Sequence, residues 1–136
     1  MNDIYVRLLL GHLLGDYLLQ SRLMAIRKSE PGNAGLWISL VHCSIYTAAV
    51  CLFLWTSNPC IVALIFASHW PADRYSLGTP WLRMIRGRDL KTAIESKDPT
   101  EISFAALVYA VVDNAIHLIA MWAIVRFVLI PLDYVG

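Results

Sequence analysis

Charge is what this chain has least of. Only 15% of its 136 residues are Asp, Glu, Lys or Arg and 58% are hydrophobic, against about 25% charged and 45–50% apolar in an ordinary soluble domain. That shortage argues against a fully solvated surface and for an integral membrane protein with one domain over residues 1–136. Charge of one sign is missing too. The formal net charge of +1 gives no electrostatic reason to bind nucleic acid. Cysteine is sparse: Cys43, Cys51 and Cys60 lack C-x-x-C spacing and read as small packing residues. A cleavable signal peptide is not evident, because the first apolar run lacks a basic leader and a small-residue cleavage site and contains Asp16; it reads as a retained helix.

What the chain has in quantity is long apolar runs. They predict an all-α bundle of four transmembrane helices at about residues 4–25, 36–55, 60–73 and 102–130, each judged against the roughly 20 helical residues that a bilayer core requires. The third is short, and Pro71 inside it predicts a kink or an end near His69, Trp70 and Asp73, where a wet cavity mouth would tolerate broken backbone. Thr56-Ser57-Asn58-Pro59 is a short uncharged connector, so the second and third helices should form an antiparallel hairpin. Residues 74–101 turn polar: Tyr75, Leu77, Trp81, Leu82, Met84 and Ile85 alternate with Arg74, Arg83, Arg86 and Arg88, the pattern of a short interfacial helix. The first and third loops hold the Lys and Arg excess and should face the cytoplasm. That orientation makes a multi-pass protein of four spans with both termini on the periplasmic or external side.

Within these runs the polar residues fall in register. His12 and Asp16, then His69 and Asp73, are four residues apart, and Asp113 and His117 repeat the spacing in reverse order. Side chains at i and i+4 lie on one helix face. Gln20 extends the first stripe, Asn114 adjoins the last, and His42 shares a face of the second helix with Ser39 and Tyr46. Gly11 and Gly15 make a small-residue pair that would let another helix approach closely. Counting about 1.5 Å per residue from the cytoplasmic ends puts Asp16, His42, His69 and Asp73 at similar depth, with His12, Asp113 and His117 deeper.

A free charge at the bilayer centre costs at least about 2.5–3.5 kcal/mol, and three aspartates become tolerable if a cation neutralises them. His12, Asp16, His42, His69, Asp73, Asp113 and His117 are therefore the candidate ligands of a divalent metal site, with two ions expected. Zinc is the first choice, with manganese, iron or magnesium as alternatives. Gln20, Tyr46 and Asn114 are the expected orienting partners of those ligands. The bland alternative is a set of polar stripes that only pack helices together, in an interaction protein or a homo-oligomer.

Taken together, His12-x-x-Gly15-Asp16-x-x-x-Gln20, His42, Ser68-His69-x-x-x-Asp73 and Asp113-Asn114-x-x-His117-Leu118 resemble a group of small bacterial and phage membrane proteins classed as domain of unknown function 3307. The likeness covers nearly the whole chain, and its first motif is the most specific. Members of that group often carry Asp-Gln where this chain has Asp113-Asn114, which keeps an amide beside the carboxylate. The resemblance implies membrane character and the motif assignment, and no activity.

The residues themselves suggest a metal-dependent hydrolase that acts on an amphiphilic phosphate or ester. Asp16, Asp73 and Asp113 are its candidate catalytic carboxylates, and Arg74, Arg83 and Arg86 the candidate cations for an anionic headgroup at the lipid surface. Proton or metal-ion transport through the His-Asp pairs is the main competing expectation. Haem ligation by two histidine pairs is a weaker one, because it leaves the i+4 aspartates unexplained.

Overall fold

A computed structural model describes residues 3–87 and 89–131, so Arg88 and both termini lie outside the described residues. Seven α-helices and no strand occur among them. They are α1 (Ile4–Leu13), α2 (Arg22–Arg27), α3 (Asn33–Leu54), α4 (Pro59–Arg74), α5 (Gly78–Arg86), α6 (Leu90–Ser96) and α7 (Pro99–Ile124). Two π-helical turns, Leu14–Leu18 and Val125–Leu129, continue α1 and α7.

The helix starts have local causes. Asn58 accepts from the Cys60 amide at 2.9 Å and Asp98 from the Thr100 amide at 2.9 Å, each followed by a proline at the first helical position. There a missing N–H removes nothing the helix would use. Gly32, at φ +91°, turns the chain into α3, a conformation that costs glycine little.

α3 is the central helix. It packs against α1, α2 and α4, while α7 packs against α4, α5 and α6. Leu8, Val50, Leu54, Ile61, Ile65, Met121, Val125 and Leu129 form the apolar core with Tyr46. The glycine pair behaves as its spacing predicts. A Cβ on Gly11 would come within 2.9 Å of the Val50 Cα, and one on Gly15 within 2.8 Å of the Tyr46 ring, so α1 lies directly on the α3 backbone.

Three expectations change. The first segment is not one helix over residues 4–25: it widens into the π-turn Leu14–Leu18, breaks at Leu19 and Gln20, and restarts at Ser21, whose hydroxyl accepts from the Met24 amide at 3.3 Å. Residues 4–18 span only about 22 Å of helix, short of a bilayer core of about 30 Å. Among the described residues only Asn33–Leu54 and Pro99–Leu129 are long and apolar enough to cross a membrane.

α4 passes Pro71 and ends three residues later at Arg74, near the expected end, with Ala72 and Asp73 buried there. One missing N–H near a helix end is a small loss when the following turn is packed. The polar stretch is two short helices, separated at Gly87 (φ +64°), and α7 starts at Pro99. α5 is strongly amphipathic: Leu82 faces inward while Trp81, Met84 and Ile85 are exposed.

Candidate metal centre

Each i, i+4 pair of the sequence closes on its own helix. His12 Nδ1 is 3.3 Å from Asp16 Oδ2, His69 Nε2 is 3.1 Å from Asp73 Oδ2, and His117 Nε2 is 3.7 Å from Asp113 Oδ2. The tertiary fold then brings the helices together. His42 Nε2, from α3, lies 3.2 Å from Asp16 Oδ1 on the π-turn, 2.9 Å from Asp73 Oδ2 on α4, and 3.2 Å from His69 Nε2. His69 Nε2 is 3.4 Å from the same Asp16 oxygen.

Those four atoms converge on one point. With metal–ligand bonds of about 2.0–2.1 Å, the ligands of a tetrahedral ion stand roughly 3.3 Å apart. Five of the six separations among Asp16 Oδ1, His42 Nε2, His69 Nε2 and Asp73 Oδ2 fall between 2.9 and 3.4 Å, and all lie within 4.8 Å. The residues fit a metal ion on a second count. Asp16 Oδ1 and His117 Nε2 are buried with no hydrogen-bond partner among the described residues, and a cation would satisfy both. Asp73, Asp113 and His117 make an adjoining group. Its bridge is Asp73, whose Oδ1 lies 3.3 Å from His117 Nε2 while Oδ2 faces the first group.

His12 is placed differently from its expected role as a ligand. The Asn114 amide is oriented by its Nδ2 donating to Ala110 O at 2.6 Å, so its Oδ1 receives the His12 Nε2–H at 2.8 Å. The other ring nitrogen lies 3.0 Å from the Tyr46 hydroxyl. His12 therefore stands behind Asp16, with Nδ1 placed to accept from the Tyr46 hydroxyl. Asn114 also donates to the Tyr17 hydroxyl, and the Tyr46 ring stacks on His69 at 3.5 Å. Gln20 sits differently, at the edge of the centre itself, with its amide 3.1 Å from His42 Nε2.

The three arginines do not gather at the centre. Arg74 donates to Glu30 O at 2.7 Å, Arg83 pairs with Asp89, and Arg86 lies over the Phe104 ring at 5.4 Å. Asp89 accepts from the Thr92 amide and from Arg83, which together hold its carboxyl down at about 2. The cation that does reach the centre is one the sequence reading missed. Lys28 Nζ is 2.7 Å from Asp73 Oδ2. Burial alone would push this ammonium down, but Asp73 more than offsets that and the Lys28 pKa is raised. Nothing in the spacing of Lys28 pointed here, because it lies outside the helical stripes and only the loop's return over α4 delivers it.

An all-helical chain with a buried His/Asp cluster close enough to hold a metal ion is the class that fold and site define. The chain belongs to the family described as a protein of unknown function (DUF3307), whose model matches residues 4–134. No curated protein and no solved structure matches it.

Proposed function

We propose that this chain is a multi-pass bacterial inner-membrane protein that holds divalent ions in its helix bundle and uses them to hydrolyse a phosphate or ester bond of an amphiphilic, lipid-like substrate. The observation that carries the reading is the near-tetrahedral spacing of Asp16 Oδ1, His42 Nε2, His69 Nε2 and Asp73 Oδ2. Zinc is the ion we favour there, on ligand type and geometry. A second ion would be held by Asp73, Asp113 and His117. The membrane reading draws on α3 and α7, and on exposed apolar side chains such as Leu10 on α1 and Leu107, Val111 and Ile119 on α7, a surface suited to lipid. α1 and α4 would complete four crossings if the bilayer thins or the helices sit beside longer neighbours. Both termini are then periplasmic, and membrane lipids are the surrounding partners.

The chemistry such ions supply is Lewis-acid polarisation of a phosphoryl or acyl oxygen and activation of water. The chain's own residues divide the remaining work. Asp16 and Asp73 each face two histidine nitrogens and act as ligands. Asp113, with 21% of its side chain exposed against 1% for Asp73, is the ligand of the second group that meets solvent, where water or substrate would enter. Asn114 and Tyr46 hold His12 beside Asp16, and the Tyr46 ring packs on His69.

A second reading, proton or ion transport, draws on the unbroken line of polar contacts from Lys28 through Asp73, His42, Asp16 and His12 to Asn114 and Tyr17. Elemental analysis of protein purified without added metal, together with hydrolysis assays on amphiphilic phosphates and esters, separates the two. Bound metal, lost in Asp16→Ala and His69→Ala, with turnover is the expected result. Bound metal without turnover but with metal-dependent flux in liposomes selects transport, and a metal-free wild type overturns the hydrolase reading and returns the choice to proton transport or helix packing.

A further inference from the structure

We propose that Lys28 is the oxyanion-receiving residue of this centre, released from Asp73 when divalent ions take over that carboxylate. The inference rests on the metal reading above and adds a substrate class, a doubly charged tetrahedral oxyanion such as a phosphate monoester. Among Lys28, Arg74, Arg83 and Arg86, Lys28 is the cation that touches the cluster, with Nζ 2.7 Å from Asp73 Oδ2. The arginines expected to meet an anion are held by the Glu30 carbonyl, by Asp89 and over Phe104.

The segment that delivers Lys28 is built to do so. Arg74, next to Asp73 in sequence, donates to Glu30 O at 2.7 Å and to Lys28 O at 3.5 Å, and Arg27 pairs with Glu30 at 2.8 Å. The backbone of the loop is thus tied to α4, while the Lys28 side chain keeps 15% of its surface exposed. It stands at the rim, between solvent and the buried ligands.

Charge balance points to the same role. With neutral imidazoles, the usual form of a metal-ligating histidine, Asp16, Asp73 and Asp113 outweigh Lys28 by two negative charges. One divalent ion makes the group neutral. Two ions leave it with two excess positive charges in a region of low dielectric, and a dianion is the ligand that restores balance. Asp73 Oδ2 now accepts from Lys28, His42 and His69 at 2.7, 2.9 and 3.1 Å. Were Asp73 to hold an ion through that oxygen, the Lys28 ammonium would lose its partner, and its flexible stem would let it turn to an incoming phosphoryl oxygen.

The test measures binding of inorganic phosphate by calorimetry to full-length wild type, Lys28→Gln and Lys28→Arg, each loaded with zinc or manganese and assayed for metal content. The expected result is phosphate affinity lower by about tenfold or more in Lys28→Gln, the scale of one lost charge-assisted hydrogen bond, and largely restored in Lys28→Arg, at unchanged metal content. Wild-type protein provides a measurement without substitution: amine acylation at Lys28, read by mass spectrometry, should rise on metal loading and fall again when phosphate is added. Phosphate binding that ignores the loss of Lys28, acylation that ignores phosphate, or a metal-loaded wild type that binds no phosphate overturns this proposal and leaves the metal reading intact. A wild type that takes up no metal overturns both.

Discussion

The two ligand groups share Asp73 and differ in everything else. Asp16, His42, His69 and Asp73 come from three separate stretches of chain, stand 2.9–3.4 Å apart, and are nearly sealed from solvent. Asp73, Asp113 and His117 come from two helices, show contacts of 3.3 and 3.7 Å, and end in a carboxylate that is 21% exposed. Four protein ligands close a site, whereas three leave a position for water or substrate. On the proposed metal reading, the first group would hold an ion and the second would meet something from outside.

The comparison breaks most severely at the shared residue. Asp73→Asn should empty both groups, a loss of metal affinity beyond the roughly ten- to hundredfold typical of an outer partner, and elemental analysis would show it. The next test separates the groups. Asp16→Asn should remove the tightly held ion, and Asp113→Asn should leave it in place while abolishing turnover; equal metal loss in both would erase the distinction drawn here.

Removing support from behind should matter less. Asn114→Leu frees the His12 Nε2–H and lowers metal affinity by about ten- to hundredfold, without changing the number of ions bound at saturation in a metal titration.

The smallest effect lies outside both groups. Asp89, whose folded carboxyl sits at about 2 against an ordinary 3.8, stabilises the α5–α6 corner. A folded pKa below the unfolded one means that the contribution is complete above the unfolded value and is lost as pH falls through the folded one. Protection factors of the α5 and α6 amides, taken against intrinsic exchange at each pH, should therefore fall between about pH 4 and pH 2. In Asp89→Asn that pH dependence should vanish, with metal content unaffected.

Much of the site was legible because i, i+4 spacing is a local property. His12/Asp16, His69/Asp73 and Asp113/His117 had to share a helix face once those segments were helical. The Gly11/Gly15 pair likewise announced a close helix contact, though not that the neighbour would be Val50 and Tyr46 on α3. What escaped was whatever depends on a break or a return of the chain. No residue between Leu14 and Gln20 forbids a straight helix, yet the π-turn and the stop at Gln20 are what bring Asp16 and Gln20 to His42. Lys28 reads as one more loop cation until the loop folds back over Asp73. His12 looks in sequence like His42 and His69, and what draws its ring away from the cluster is Asn114, 102 positions away.

The sequence by itself determined the helical class, the apolar character, and the set of imidazoles and carboxylates that have to find partners, because composition and helical periodicity act over a few residues. Only the tertiary structure decided which of them meet. α3 and α7 are almost equally apolar, with mean hydropathy of 1.8 and 1.7, yet 44% of the first span lies buried within the protein and 6% of the second. Helix packing is a contest among whole faces: α3 lies between α1 and α4, and α7 has one flank open. No pattern within either helix records the outcome.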